Sequence, residues 1–318
     1  MIAPTSPEIV FFGSGPVAAA SLELLSESFE VEAVITKPRP PHHKGSVPVL
    51  ELANQLHLPI VEAGSKKELS QKISERSFES KVAVLIDFGI IVAQDVIDTF
   101  PLGIINSHFS LLPEWRGADP ITFSILSGQE HTGVSLMQLV EAMDEGPLLA
   151  FGVQELDNTS TTPWLTDRLI HLSDALLKRE LPRYIGGEAK VIEQSEIPSL
   201  VTDFDYPVTP TYSRKLTKDD GLLDFTKSAE QLDREIRAYL EWPKSRTVIA
   251  GKDVVITNAH VELADESLKI YQPGKVFKAG KQLCIQTGQG VLVVDALKPA
   301  GKPDMPAQAF LAGYGQNL

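Results

Sequence analysis

The chain carries one cysteine, Cys284, among 318 residues. A single thiol closes no intramolecular disulfide and builds no cysteine-based zinc site. No stretch reaches the ~18 continuous apolar residues that a membrane-spanning helix needs. The opening residues have no charged head followed by an apolar run and a small-residue cleavage site, so no secretory leader is expected. These shortages together predict a cytoplasmic protein away from membranes. The histidines outside the central stretch discussed below (His42, His43, His57, His131, His171 and His260) show no ligand spacing with acids, and no metal is expected. Positive charge is scarce too. Lys+Arg number 29 against 42 Asp+Glu, a formal charge of −13. Taken alone, that balance speaks against a nucleic-acid partner, whose phosphates call for a basic surface.

The charge is unevenly spread. Residues 1–204 hold 14 Lys+Arg against 28 Asp+Glu, whereas residues 205–318 hold 15 against 14. Within 243–302 the count is 9 against 5, so the acidity belongs to the first two-thirds. An asymmetry of this kind bears on partners. The apolar fraction of 43% is that of an ordinary globular protein. The length suits two domains better than one.

The first half alternates short β-rich runs with helical patterns. Glu8–Phe12, Val31–Thr36, Val82–Ile86 and Gly103–Asn106 read as strands, with helices over Val17–Leu25 and Pro48–Leu56. Near-continuous apolar strands separated by helices imply a doubly wound parallel sheet. Thr132–Val140 and Leu148–Leu156 read as a further strand pair, and Thr162–Ile185 as a long helix. Ile197–Pro210, with three prolines and little periodicity, reads as a linker. A short amphipathic helix, Ala229–Leu240, follows. From Thr247 onward come closely spaced strands with glycine turns, the pattern of a small barrel. The expected architecture is α/β: a Rossmann-like sheet domain over 1–196, a linker over 197–210, and an OB-like β-barrel domain over 211–318.

Gly13-x-Gly15-x-x-Ala18 satisfies a permissive dinucleotide fingerprint. An NAD site also expects an acid near the end of the second strand, where this chain has Thr36-Lys37-Pro38-Arg39. A sharp strand-to-helix turn, without NAD, is the favoured reading.

The central stretch carries the chemistry. Asn106 and His108 sit two apart at the carboxyl end of a strand, so both point to one side. Ligands bind at such strand ends in open α/β sheets. Asp144 lies in a turn with Gly146, past another strand. An amide, an imidazole and a carboxylate with no placed Ser or Cys nucleophile suit acyl transfer to an amine that the substrate itself brings. Asn106 and protonated His108 would donate to the oxyanion, and Asp144 would assist the imidazole. The same residues also fit a structural role, Asn-x-His as a satisfied pair and Asp144 as a turn former.

Asn106-x-His108-x-Ser110-Leu-Leu-Pro113, Arg116-Gly117, Thr132-Gly-Val134 and Asp144-x-Gly146 together resemble the folate-dependent formyltransferase family. The resemblance implies that Asn106, His108 and Asp144 are the catalytic trio, with 10-formyltetrahydrofolate as formyl donor. Met143-Asp-Glu-Gly-Pro-Leu-Leu149, Thr211-Tyr-Ser-Arg-Lys-Leu216, Lys218-Asp-Asp-Gly-Leu222, Ile236-Arg-Ala-Tyr239 with Trp242-Pro243, and Lys298-Pro-Ala-Gly-Lys302 with Met305 resemble the branch that formylates the amino group of methionyl initiator tRNA. The likeness spans essentially the whole chain. It implies a folate cleft walled by Phe88, Gly89, Ile90 and Ile91 on one side and Ser110, Leu111, Leu112 and Pro113 on the other, with backbone near Val140 and Met143 holding the pteridine. It also implies that the acceptor arm of the tRNA meets Lys244, Arg246, Lys252, Lys275, Lys278 and Lys281 in the barrel. Two departures stand out. The basic loop after the second strand, residues 37–45, is short, leaving Arg39 and Lys44 as its candidates. Asp87 stands before the Phe88-Gly89 pair. A monomer is expected. The competing readings are a sugar-nucleotide formyltransferase, a formyltetrahydrofolate hydrolase, a non-catalytic folate or tRNA binder, and a dinucleotide-dependent enzyme.

Overall fold

Short apolar runs separated by helices wind one sheet, and their burial shows why. In the computed structural model, which describes residues 7–42, 45–201, 204–262 and 271–318, the chain runs through β1 (Glu8–Phe12), α1 (Pro16–Ser26), β2 (Glu30–Thr36), α2 (Pro48–Gln55), β3 (Ile60–Glu62), α3 (Lys66–Ser74), β4 (Ala83–Leu85) and α4 (Gln94–Ile97). It continues with β5 (Ile104–His108), a short β6 (Arg116–Gly117), α5 (Pro120–Ser127), β7 (His131–Gln138), β8 (Leu148–Glu155), α6 (Thr162–Ile185) and a short β9 (Tyr212–Ser213). Seven strands form one sheet in the order β3-β2-β1-β4-β5-β7-β8. The first five are parallel, and β7 and β8 extend the sheet antiparallel. The winding direction reverses between β1 and β4, and in open α/β sheets the carboxyl ends at such a reversal are where ligands bind.

Ile9, Val10, Phe11 and Phe12 of β1 are all fully buried, as a strand covered on both faces requires. Phe12 meets Phe88 and Phe100 edge-on, with ring centroids 5.5 and 6.1 Å apart. Ile35, Leu69, Ile73, Val96 and Ile104 complete this core. Each such side chain contributes about 1.5–3 kcal/mol through burial.

Two elements go beyond the sequence reading. β3 is three residues long, and α3 is polar except for Leu69 and Ile73, one turn apart. Ser65 caps α3 by accepting from the Glu68 amide, while the Glu68 carboxylate accepts from the Gly64 amide at 2.8 Å. The proline-rich segment 197–210 packs as well. Ile197 and Tyr206 are buried with Leu111, Leu112, Met137 and Leu148, and the Tyr206 hydroxyl donates to the Leu112 carbonyl at 2.8 Å.

The chain divides into two compact units. The first takes residues up to Pro120, His131–Glu155 and Thr166–Ser213; the second takes Ile121–Glu130, Leu156–Leu165 and Arg214–Leu318. In the second, α7 (Ala229–Ala238) precedes β10 (Ser245–Ile249), β11 (Lys252–Glu262), β12 (Val276–Ala279), β13 (Gln282–Gln286), β14 (Val291–Pro299), β15 (Met305–Pro306) and α8 (Ala307–Tyr314). The strands pair antiparallel in the order β10-β11-β14-β13-β12, with β15 on β14, and make a half-barrel. Register shifts around Asn258 bend β11, as bulges do. Leu232 and Ile236, four apart on α7, and Phe310 of α8 bury against Ile256, Leu283, Ile285, Leu292 and Leu297.

Candidate active site

The alternation of β5 sorts its residues by face. Ser107 points one way, with its hydroxyl 2.6 Å from that of Ser173 on α6. Asn106 and His108 occupy alternate positions, both buried at 8% and 6% exposure. The Asn106 amide makes no side-chain hydrogen bond to any described residue. Buried amides are normally satisfied, so an unfilled one at a strand's carboxyl end has the form of a donor kept for a ligand.

His108 is held from one side. Its Nε2 lies 3.0 Å from the Trp115 carbonyl. A carbonyl only accepts, so Nε2 carries the proton. Nδ1 therefore faces Asp144, whose Oδ1 is 3.9 Å away. That separation exceeds a hydrogen bond and makes the carboxylate an electrostatic neighbour. The other Asp144 oxygen, Oδ2, accepts from the Gly117 amide at 2.8 Å.

The turn that carries Asp144 is clamped. Asp144 sits at φ +53°, a left-handed conformation that aspartate tolerates better than most residues. Gln194 donates through Nε2 to the carbonyls of Asp144 and Gly146, at 2.9 and 2.8 Å. Its Oε1 accepts from Arg116 Nη2 at 2.9 Å, while Arg116 Nη1 pairs with Glu145 at 3.1 Å. A Cβ on Gly146 would lie 1.8 Å from the Gln138 carbonyl, so this position admits only glycine. The sequence reading found Arg116 and Gly146 through their motif and missed Gln194. A lone Gln after a long helix has no periodic or spacing signal.

The residues assigned to a folate cleft fall into two sets. Gly89, Ile91 and Met143 are exposed, Ile91 at 65% and Met143 at 64%, and Val140 is half-buried. Ile90 packs partly against the core. Phe88, Ser110, Leu111, Leu112 and Pro113 turn inward and offer backbone rather than side chains. The Ser135 hydroxyl pins this second wall, donating to Ser110 O at 2.8 Å and accepting from Leu112 N at 3.0 Å.

Among the basic candidates, Lys44 lies outside the described residues. Arg39 bonds the Gly45 carbonyl at 2.7 Å and Glu51 at 3.1 Å. Arg246 donates to the Lys218 carbonyl. Lys252 lies over the Tyr314 ring, 5.9 Å from its centroid. Lys244, Lys275, Lys278 and Lys281 are exposed. The last three cluster on the β12–β13 hairpin and form no ion pair or side-chain hydrogen bond with described residues. Among the described residues no group of His, Cys, Asp and Glu has the arrangement of a metal site. No helix there is long and apolar enough to cross a membrane.

Comparison with known proteins bears on both units. The formyl transferase family matches residues 8–181, and the family's C-terminal domain matches residues 215–315. A methionyl-tRNA formyltransferase of Myxococcus xanthus is 33% identical over 313 residues, covering 97% of this chain and 95% of its own. One from Coxiella burnetii is 32% identical, covering 98% and 97%. Among solved structures, an N-formyltransferase of Helicobacter canadensis in complex with folinic acid and dTDP-3-aminofucose superposes with a TM-score of 0.64 at 17% identity, covering 91% of this chain and 98% of its own. HypX of Aquifex aeolicus with tetrahydrofolic acid gives 0.62 at 15% identity, covering 98% of this chain and 48% of its own.

Proposed function

Since the chain belongs to the formyl transferase family, we propose that it transfers the formyl group of 10-formyltetrahydrofolate to the amino group of methionyl initiator tRNA. The observation that carries this reading is the buried, unfilled Asn106 amide beside a histidine whose free nitrogen faces a carboxylate.

In this mechanism the acceptor amine attacks the formyl carbon. Charge builds on the formyl oxygen, and the buried Asn106 amide donates to it. His108 keeps Nε2–H on the Trp115 carbonyl and works through Nδ1. A proton taken there faces the Asp144 carboxylate across 3.9 Å. The amine gives up its proton to Nδ1 as the new C–N bond forms; the adduct then collapses, the C–N bond to the folate breaks, and that proton passes from Nδ1 to the departing folate nitrogen. No covalent enzyme intermediate is needed, consistent with the lack of a placed nucleophile. The donor's pteridine lies against the exposed Gly89 and Ile91 and is held by backbone near Val140 and Met143. The unpaired lysines of the β12–β13 hairpin, with Lys244, supply the attraction for the acceptor arm. The working protein is a cytoplasmic monomer that uses neither metal nor NAD.

The test is an assay of the purified protein with 10-formyltetrahydrofolate and charged initiator tRNA. Uncharged tRNA, free methionine and a dTDP-aminosugar are run beside it. Formyl-methionyl product from the charged tRNA alone supports the reading. Turnover of the aminosugar without turnover of the tRNA replaces the acceptor.

A further inference from the structure

The carboxyl ends of β1 and β4, at the winding reversal where open α/β sheets bind ligands, are followed by residues that the trio does not use. Asp87 follows β4 by two residues. Its neighbour in the sheet is β5, where Leu85 pairs with Asn106. Adjacent strands lie about 4.8 Å apart, so Asp87 stands roughly one strand from Asn106 and His108. The residue is left-handed, at φ +46°, and its carbonyl receives the amides of Ser14 and Gly15 at 3.1 and 3.4 Å. Its carboxylate is turned onto the glycine loop. A Cβ on Gly15 would lie 1.8 Å from Asp87 Oδ2. The glycine that resembles part of a dinucleotide fingerprint therefore makes room for a carboxylate of the chain itself.

That carboxylate accepts no hydrogen bond from any described residue. Asp87 is open to water, yet protein surrounds it closely enough that desolvation pushes its carboxyl up to about 6. Lys37 opposes the rise and Asp119 adds to it. Lys37 Nζ lies 2.6 Å from where a Cβ on Gly89 would stand, so the lysine closes the side toward the proposed folate wall. Two aspartates against one lysine leave this strand end short of positive charge, which favours an N–H donor over an anion.

We propose that this strand-end site receives the amino group of the formyl acceptor, with the Asp87 carboxylate accepting its N–H. The substrate class is a primary amine on an amino-acid ester, and the assignment rests on the acceptor proposed above. Asp87 is then a specificity-determining residue, while Asn106 and His108 act on the formyl group. It also orients the amine before attack, because a carboxylate fixes the direction of N–H bonds.

The experiment uses Asp87→Asn and Asp87→Ala in the full chain. The KM for charged tRNA is expected to rise about 10- to 100-fold, the worth of a charge-assisted hydrogen bond. Tetrahydrofolate affinity, read by calorimetry, stays at the wild-type value. Gly15→Ala displaces the carboxylate and shifts KM in the same direction. Wild-type KM in both Asp87 variants overturns the proposal, as does loss of folate affinity in step with the rise in KM. A second probe is independent of the tRNA. Methionine methyl ester is titrated while the Asp87 carboxyl carbon is followed by NMR. A saturating shift supports amine binding, and no shift overturns it. If the wild type leaves methionyl-tRNA unformylated while the ester still moves Asp87, the acceptor reading fails and the amine site stands.

Discussion

The strand-end site of the first unit and the lysine hairpin of the second are built on opposite plans. Around Asn106, almost every polar group is tied: His108 to Trp115, Asp144 to Gly117, and Gln194 to two carbonyls and Arg116. On the β12–β13 hairpin, Lys275, Lys278 and Lys281 stand free in water. Chemistry rewards fixed geometry, because donors already in place need no reorganisation as charge develops. Attraction to a polyanion rewards accessible charge, since long-range fields tolerate loose side chains. The whole-chain charge of −13 hides this division. The basic excess over residues 243–302 lies where position matters least and sign matters most.

The sharpest way to break the contrast is at the fixed site. Asn106→Ala or His108→Ala should lower transfer by about 100- to 1000-fold, the usual cost of losing an oxyanion donor. Thermal melts should remain those of a folded protein. Near-normal turnover in either purified variant would erase the distinction between the two regions. Next comes the clamp. Gln194→Leu strands two carbonyls and the Arg116 guanidinium, and should cost about 1–3 kcal/mol of stability. It should also reduce kcat while leaving tRNA affinity alone; an equal fall in affinity would mean the clamp serves binding.

The hairpin predicts a different signature. Replacing Lys275, Lys278 and Lys281 together by Gln should flatten the salt dependence of tRNA affinity by roughly 2 in the log–log slope. Turnover at saturating tRNA should hold. An unchanged slope removes this face from the interface. The smallest effect concerns Asp87 and stability. Its folded carboxyl, at about 6, lies above its ordinary value of 3.8, so the folded state binds that proton more tightly than the unfolded chain. Its contribution is most favourable below pH 4, declines as pH rises through 6, and is level beyond. Asp87→Asn should therefore raise the melting temperature at pH 7.5 and leave it unchanged at pH 4. A gain of equal size at both values would show that charge is not the cause.

How legible this was depended on the kind of signal. β1 was readable because both its faces are buried and its apolar run is nearly continuous, and β5 because Ile104 and Ile105 follow the turn glycine Gly103. Asn106 and His108 followed from two-residue periodicity, and Asp144 from its glycine turn together with the family motif. α3 escaped because only Leu69 and Ile73 face the core, although Ser65 and Glu68 form a start signal that could have been read. The segment 197–210 has the prolines of a linker, yet Ile197 and Tyr206 pack, since two well-spaced apolar side chains suffice to dock an extended chain. Gln194 and the Trp115 carbonyl were invisible for a plainer reason. Their roles arise from long-range closure, and a backbone oxygen has no letter in the sequence.

The short β6–β9 pair has a consequence for anyone cutting or exchanging parts of this chain. β9 sits at the last residues of the first unit, yet its partner strand is Arg116–Gly117. Thr211 receives the Trp115 amide on its hydroxyl at 2.9 Å and the Arg116 amide on its carbonyl at 3.0 Å. Trp115 and Gly117 are the residues whose backbones hold His108 and Asp144. A fragment ending at residue 196, or a chimera spliced in the proline-rich stretch, would keep every residue of the trio and lose the strand that braces their supports. Because the second unit also takes Ile121–Glu130 and Leu156–Leu165, no single cut divides the two units, and a protease nick just before Tyr212 should silence the chemistry while sparing the sheet.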